Sequence, residues 1–321
     1  MKNIYSNIYK ANSANLKKAK RNIENNNVIG LPTETVYGLA GNAYSDKSVK
    51  KIFKLKKRPS INPLIIHFNK LNDSRNDVFF NNHFLKLYKS LCPGPVTFIL
   101  KKKPKSKITS LVSNKSLWVG CRIPSNKIAL KLLNSIDFPI AAPSANINTK
   151  TSVTNIDDLD PSLKKNIFTL DNGSSKLGLE STVIKTSKKD IKILRLGSLT
   201  EETIKNKIRK YKIKIVNKTR LSPGNQRKHY SPKKTLRINV KNIKLGEGLL
   251  NFGKNNLKSK IINLNLSKKG NLKEASKKFY HFLNLIDNSK CEKISVAPIP
   301  NKGLGKVIND RLKKASYKKK N

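Results

Sequence analysis

The chain has 321 residues, with 68 Lys or Arg against 19 Asp or Glu and a formal net charge of +49. That length accommodates two domains with a sizeable core, and no uncharged apolar run is long enough to suggest a membrane span. Cys92, Cys121 and Cys291 lie far apart and His67, His83, His229 and His281 are scattered, which argues against a disulfide framework or a zinc site and fits a reducing cytoplasm.

Met1 to Lys20 carries no apolar signal core. Ala14 to Asn26 reads as a polar helix with Leu16, Ala19 and Ile23 toward a core, and Val28 to Leu31 reads as a short buried strand. Pro32-Thr33-Glu34-Thr35-Val36-Tyr37-Gly38-Leu39 follows that strand end, where α/β folds place ligands; it fits an ordinary turn capped by Thr33 equally well. A helix with Val49, Ile52 and Phe53 at helical spacing, capped by Ser45 or Asp46, cannot continue far past Pro59. Lys56 and Arg58 therefore sit at a helix end, and Asn62 and the strand Leu64 to Phe68, carrying His67, follow. This suits a bound polyanion, and also a basic helix end favoured by its own dipole.

Leu85 to Leu91 reads as a helix, Cys92-Pro93-Gly94-Pro95 as a breaker, Val96 to Leu100 as a strand, and Lys101 to Lys107 as a solvated basic loop. Leu117 to Cys121 is a strand ending at Arg122, whose guanidinium suits a two-pronged grip on a carboxylate or phosphate, or a surface ion pair. Phe138 to Ala142 runs into Pro143-Ser144-Ala145-Asn146, where small residues either admit a ligand to the backbone or form a Pro-led turn. Leu179 to Ile184 and Ile191 to Leu194 read as a strand pair, Arg195 and Gly197 follow, and Thr200 caps a helix through Lys210. The first domain is thus expected over 1–210. Residues 211–234 read as a linker, rich in Pro and Gly yet holding His229 and Tyr230. A small α/β unit is expected over 235–321, with strands Lys260 to Leu264 and Lys293 to Ala297, and helices along Leu272 to Ile286 and Val307 to Ala315.

The charge has two readings. One is a polyanion partner, either nucleotide phosphates or RNA. The other is compositional bias, since Lys and Asn are abundant throughout while Arg, the residue a dedicated RNA surface concentrates, is scarce. Bias accounts for most of the charge and leaves room for a basic cleft.

Taken together these segments resemble the threonylcarbamoyl-AMP synthase family, built on the YrdC-like fold. The resemblance rests on Pro32 to Leu39; on Lys56-x-Arg58-Pro59, Asn62-Pro63-Leu64 and His67; and on Pro93-Gly94-Pro95-Val96-Thr97. It continues through Arg122-Ile123-Pro124, Ala142-Pro143-Ser144-Ala145-Asn146, Glu180-Ser181-Thr182-Val183 and Leu194-Arg195-x-Gly197. Ser222-Pro223-Gly224 with His229-Tyr230-x-Pro232, and Gly303-Leu304-Gly305 with Ile308-Asn309-Asp310-Arg311-Leu312, are similar to the two-domain form.

The resemblance implies an α/β fold: a YrdC-like twisted open mixed sheet with flanking helices, and a smaller C-terminal Rossmann-like α/β domain joined by a lid-like linker. It implies that L-threonine, bicarbonate (or CO2) and ATP give threonylcarbamoyl-AMP and pyrophosphate, for modification of adenosine 37 in tRNAs reading ANN codons. Carried over residue by residue, Lys56 and Arg58 are catalytic and, with Arg195, hold phosphates. Asn62, Ala142, Ser144, Asn146, Ser152 and Tyr230 complete the ATP site. Thr35, His67, Arg122 and Ser181 hold threonine, with Arg122 on its carboxylate, while His229 and Tyr230 form a lid. Mg²⁺ would come with ATP, held by phosphates and water rather than by a protein cage. The partners implied are the three substrates, a downstream threonylcarbamoyl transferase complex and a weak tRNA contact, with no membrane, in the cytoplasm. The alternative is an RNA-binding or ribosome-associated module with the fold and no synthase activity. Carbamoyl transfer in hydrogenase maturation uses a related domain beside zinc-finger and acylphosphatase segments, which this sequence lacks. Two positions depart from the family pattern: Asn148-Thr149 stand where Ser-Gly is common, and Trp118 stands where Thr is usual.

Overall fold

The computed structural model describes residues 7–187, 190–208, 212–216, 221, 223 and 229–317. In chain order the elements are β1 (Ile8–Lys10), α1 (Ser13–Glu24), β2 (Ile29–Leu31), β3 (Gly38–Asn42), α2 (Asp46–Lys56), β4 (Ile65–His67), α3 (Asn82–Leu91), β5 (Val96–Lys101), β6 (Trp118–Arg122), α4 (Lys127–Asn134), β7 (Ile140–Ala141), α5 (Pro161–Asn166) and β8 (Phe168–Asp171). They continue with β9 (Thr182–Thr186), β10 (Asp190–Arg195), α6 (Glu201–Lys207), β11 (Lys212–Ile215), β12 (Thr235–Ile238), β13 (Glu247–Asn251), β14 (Asn263–Asn265), α7 (Leu272–Asp287), β15 (Lys293–Val296) and α8 (Gly303–Ala315).

Eleven strands form one mixed sheet in the order β1-β8-β2-β3-β7-β4-β6-β5-β9-β10-β11. Successive residues go to opposite faces of it, as strand geometry requires. Leu39 and Ala141 join the core beneath α2 and α3, with Ile52, Leu87 and Phe98, whereas Ala40 and Ile140 pack against α1 and α4 through Ile23, Ala129 and Leu132. β3 has the Gly-rich sequence of a turn, and sequence reading leaves it unassigned; a Cβ on its Gly41 would lie 2.4 Å from Ser48 Oγ on α2. Close helix-on-sheet packing, rather than a bend, is what this glycine serves. β11 pairs with β10, so the sheet runs past the expected domain edge at residue 210.

β12-β15-β13-β14 form a second, wholly parallel sheet. α7 and α8 cover it, burying Phe279, Leu283, Val307 and Ile308 against Leu250, Ile294 and Val296. The strand expected at Lys260 to Leu264 is confined to β14, because the Ser259 hydroxyl accepts from the Ile261 N–H and turns the chain there.

The two sheets are joined by more than a tether. Leu179 from the first and Tyr230 from the linker belong to the C-terminal core. Gly178 has φ 76°, and a Cβ there would meet the Ser276 carbonyl of α7 at 2.2 Å. This docking also bears on why the strand expected from Leu179 begins only at Thr182: Leu179 and Glu180 are claimed by the second unit, and Ser181 is held by Thr97 and Arg195.

Candidate active site

The site begins where α2 stops. Lys57 takes a left-handed φ of 49°, and the Lys57 and Arg58 N–H groups turn back to the carbonyls of Lys54 and Phe53. Lys56 Nζ then donates to the carbonyls of Ser144 and Asn146. Arg58 curls over the following loop, with Nε 3.3 Å from the Asn62 carbonyl and Nη2 3.1 Å from that of Pro63.

Arg58 lines a cavity along the face of β4 that Ile65 and His67 share. Parallel register sets His67 of β4 beside Arg122 of β6. Ala142, Pro143 and Ser144 enter from the end of β7, Thr35 and Val36 from the β2–β3 loop, Glu180 and Ser181 from ahead of β9, and Arg195 from the end of β10. Pro223, His229 and Tyr230 complete the wall from the linker.

Positive charge dominates. Burial pushes the Arg58 guanidinium down to about 10, still a cation at neutral pH, and also lowers Arg195. Burial, reinforced by Arg58, holds the Lys56 amine well below its ordinary range. Arg195 Nη2 donates 2.8 Å to the Ser181 carbonyl, and the Ser181 hydroxyl lies 2.8 Å from that of Thr97, so the turn before β9 is pinned to β10 and to β5. Burial sends the His67 imidazole down to about 3, with Arg122 acting the same way; it is neutral at neutral pH.

Two carboxylates balance part of this charge, and neither is singled out by sequence reasoning. Glu34 Oε1 accepts from Arg122 Nη2 at 2.6 Å. Glu180 Oε2 accepts from Arg311 Nε at 3.0 Å, and Oε1 accepts from the hydroxyls of Ser152 at 2.6 Å and Tyr280 at 2.8 Å. Burial alone would raise the Glu180 carboxyl, but Arg311, Arg195 and those hydroxyls bring it down to about 2. Among the described residues no group of three or more His, Cys, Asp or Glu side chains could hold a metal ion.

Four buried polar atoms of the cavity walls have no hydrogen-bond partner: Arg122 Nε, His67 Nδ1, His229 Nδ1 and the Tyr230 hydroxyl. Leaving such groups unmatched costs about 1–3 kcal/mol each. Their convergence on one cavity is the signature of a binding site rather than of a core.

The structure thus brings Thr35, Arg58, His67, Arg122, Ala142, Ser144, Ser181, Arg195, His229 and Tyr230 to one cavity. Lys56, Asn62, Asn146 and Ser152 do not line it. Lys56 and Asn146 stand behind Ser144, whose hydroxyl bonds the Asn146 side chain, and Ser152 stands behind Glu180. Asn62 offers its carbonyl to Arg58. Trp118 lies apart from the cavity, with Lys185 Nζ 3.4 Å from its ring centroid.

The Sua5/YciO/YrdC family model, described as telomere recombination, matches residues 21–197, and the model described as threonylcarbamoyl-AMP synthase, C-terminal domain, matches residues 193–316. The chain is 32% identical to the threonylcarbamoyl-AMP synthase of Pyrococcus abyssi, with 92% of each chain covered. The chain belongs to the threonylcarbamoyl-AMP synthase family. Another family member, from Bacillus subtilis, is 30% identical over 95% of this chain and 94% of its own. The crystal structure of Pyrococcus abyssi Sua5 complexed with L-threonine superposes with a TM-score of 0.85 at 28% identity, covering 96% of both chains. A full-length HypF structure, at 20% identity, a TM-score of 0.51 and 57% of this chain against 29% of its own, shares the fold alone.

Proposed function

We propose that the chain makes threonylcarbamoyl-AMP and pyrophosphate from L-threonine, bicarbonate or CO2, and ATP. The observation that carries this is the convergence of unmatched polar atoms and excess cations on a single buried cavity. A module that merely docks on RNA needs its charge outside and has no use for orphaned donors within. The likeness to known synthases supports the same activity, in particular the L-threonine complex of the relative.

The threonine amine adds to CO2 or bicarbonate, and the resulting carbamate attacks the α-phosphorus of ATP. The barrier is the approach of two anions and the charge growing on pyrophosphate, so positioning and fixed positive charge supply the catalysis. Arg58 and Arg195 take the phosphates. Lys56 shapes the Ser144–Asn146 backbone against which the nucleotide lies. Arg122, with Nη2 engaged by Glu34, turns its Nε edge to the threonine carboxylate. Neutral His67, Thr35 and Ser181 complete the amino-acid end. His229 and Tyr230 cover the site, which keeps water from a labile carbamate and mixed anhydride. Mg²⁺ accompanies ATP on phosphates and water; each carboxylate beside the cavity already has one oxygen on an arginine, and no cluster of metal-ligating side chains stands among the described residues, which fits that arrangement. A transferase complex then carries the product to adenosine 37 of tRNAs reading ANN codons, in the cytoplasm, with at most a weak tRNA contact here.

The test is detection of product and pyrophosphate with threonine, bicarbonate and ATP each omitted in turn. Omission of any one should abolish both products. ATP turnover that proceeds equally without threonine overturns the assignment.

A further inference from the structure

Among the described residues the cavity wall contains one carboxylate, Glu180, beside the cations that would meet a triphosphate. Unshielded, it would repel that ligand. Two of the three groups that bind its oxygens come from the C-terminal unit: the Tyr280 hydroxyl on α7 and Arg311 Nε on α8. Arg311 is fully buried. Its Nη2 donates 2.6 Å to the carbonyl of Leu196, the residue after Arg195, and its guanidinium carbon lies 4.6 Å from the centroid of the Tyr230 ring. One side chain therefore touches the carboxylate in the wall, the backbone beside a wall cation and the aromatic ring of the cover. Tyr230 itself has φ 60°, a left-handed conformation that a bulky residue keeps only when its surroundings impose it.

A purely structural origin is a weak account of this arrangement. Buried ion pairs recover their desolvation cost poorly, and packed apolar residues of the same volume are often as stable. What the pair supplies is geometry and neutralisation at the cavity wall. We infer that Arg311 is a positioning residue for the reaction: through it the C-terminal unit cancels the Glu180 charge facing the triphosphate and holds the Tyr230 ring over the site. This rests on the ATP-dependent reading above and gives the second domain a role in it.

The test uses the full chain with Arg311→Met, Glu180→Gln and the double variant, which removes both charges of the buried pair and leaves Asp310, the other carboxylate on Arg311, paired with Lys314, so that it folds even if the first does not. Two quantities are read: calorimetric binding of inorganic triphosphate, and KM for ATP together with kcat for threonine-dependent pyrophosphate release. Arg311→Met should weaken triphosphate binding and raise KM at least tenfold. Adding Glu180→Gln should restore triphosphate binding to within about threefold of wild type. The double variant should still have kcat at least tenfold below Glu180→Gln alone, because the Tyr230 ring is no longer held. A double variant that matches Glu180→Gln in kcat, or that fails to bind triphosphate while folded, overturns the inference. If wild type binds triphosphate but releases no pyrophosphate, the synthase reading fails, while the triphosphate comparison still decides whether Arg311 shields Glu180.

Discussion

His67 makes the strongest quantitative prediction. Its imidazole is fully enclosed, and burial pushes it down to about 3 from an ordinary value of 6.5. The unfolded chain binds a proton at this residue once pH drops below 6.5, whereas the folded chain does not. The unfolded state therefore gains protons first, so this contribution to stability is complete above 6.5 and is lost as pH falls. From about pH 7.5 to 5.0 the loss from this one group is about 2 kcal/mol, and it approaches roughly 5 kcal/mol near pH 3. Urea unfolding of wild type and His67→Gln at the two upper pH values reads the effect as a difference of differences: wild type should lose about 2 kcal/mol more than the variant. His229, which burial also holds well below its ordinary range, contributes to both proteins and cancels. In parallel, the imidazole NMR signal absent from His67→Gln should stay unmoved in wild type down to about pH 4.5. Parallel stability curves, or a His67 signal titrating near its ordinary value, refute the neutral, enclosed imidazole and with it the proposed hydrogen bonding of this ring to substrate.

The hydroxyl of Tyr230 is buried without a partner, so Tyr230→Phe should leave urea stability unchanged or raised by up to about 1 kcal/mol while weakening ATP binding; equal ATP affinity would remove the hydroxyl from the ligand contacts. Arg58→Ala should lower synthesis by about 10²–10³-fold in a pyrophosphate-release assay, and it should also cost about 2 kcal/mol, because the side chain is buried and donates to two loop carbonyls. Thr149 has φ 66°, where a β-branched residue is strained, and its carbonyl accepts from the Ser231 N–H of the cover. Relief of about 1–2 kcal/mol, less the extra freedom of an unfolded glycine, makes Thr149→Gly more stable by about 0.5–1 kcal/mol in urea unfolding. A destabilised variant would mean that the threonine side chain holds this turn.

Much of the site is legible in the order of residues. His67, Arg122 and Arg195 stand at the ends of apolar strands, and a strand end next to a hydroxyl-rich or Gly-containing turn is a local pattern with a local meaning. Ser45 as the cap of α2 and Pro59 as the limit of that helix follow from the same short-range rules, and Ser45 does accept from the Ser48 N–H. The linker is less legible. Its composition marks a tether, yet Tyr230 is buried in the C-terminal core and His229 lies edge-on to it, with ring centroids 4.0 Å apart. Residues 224–228 of that stretch lie outside the described residues.

By itself, then, the amino-acid sequence marked the strongly patterned strands and helices and the polar side chains left at their ends, while β1, β3, α4, α5, β8, β11, β12 and β13 carried no pattern strong enough to read. Backbone propensity, capping and apolar alternation act over a few residues, and they are written in the chain. Only the folded molecule decided that Lys56 turns to backbone carbonyls, that Glu34 meets Arg122 across 88 positions, and that Arg311 reaches Glu180 across 131. Pairing of buried charges depends on which surfaces the packed sheets bring together, and no short-range pattern along the chain records it.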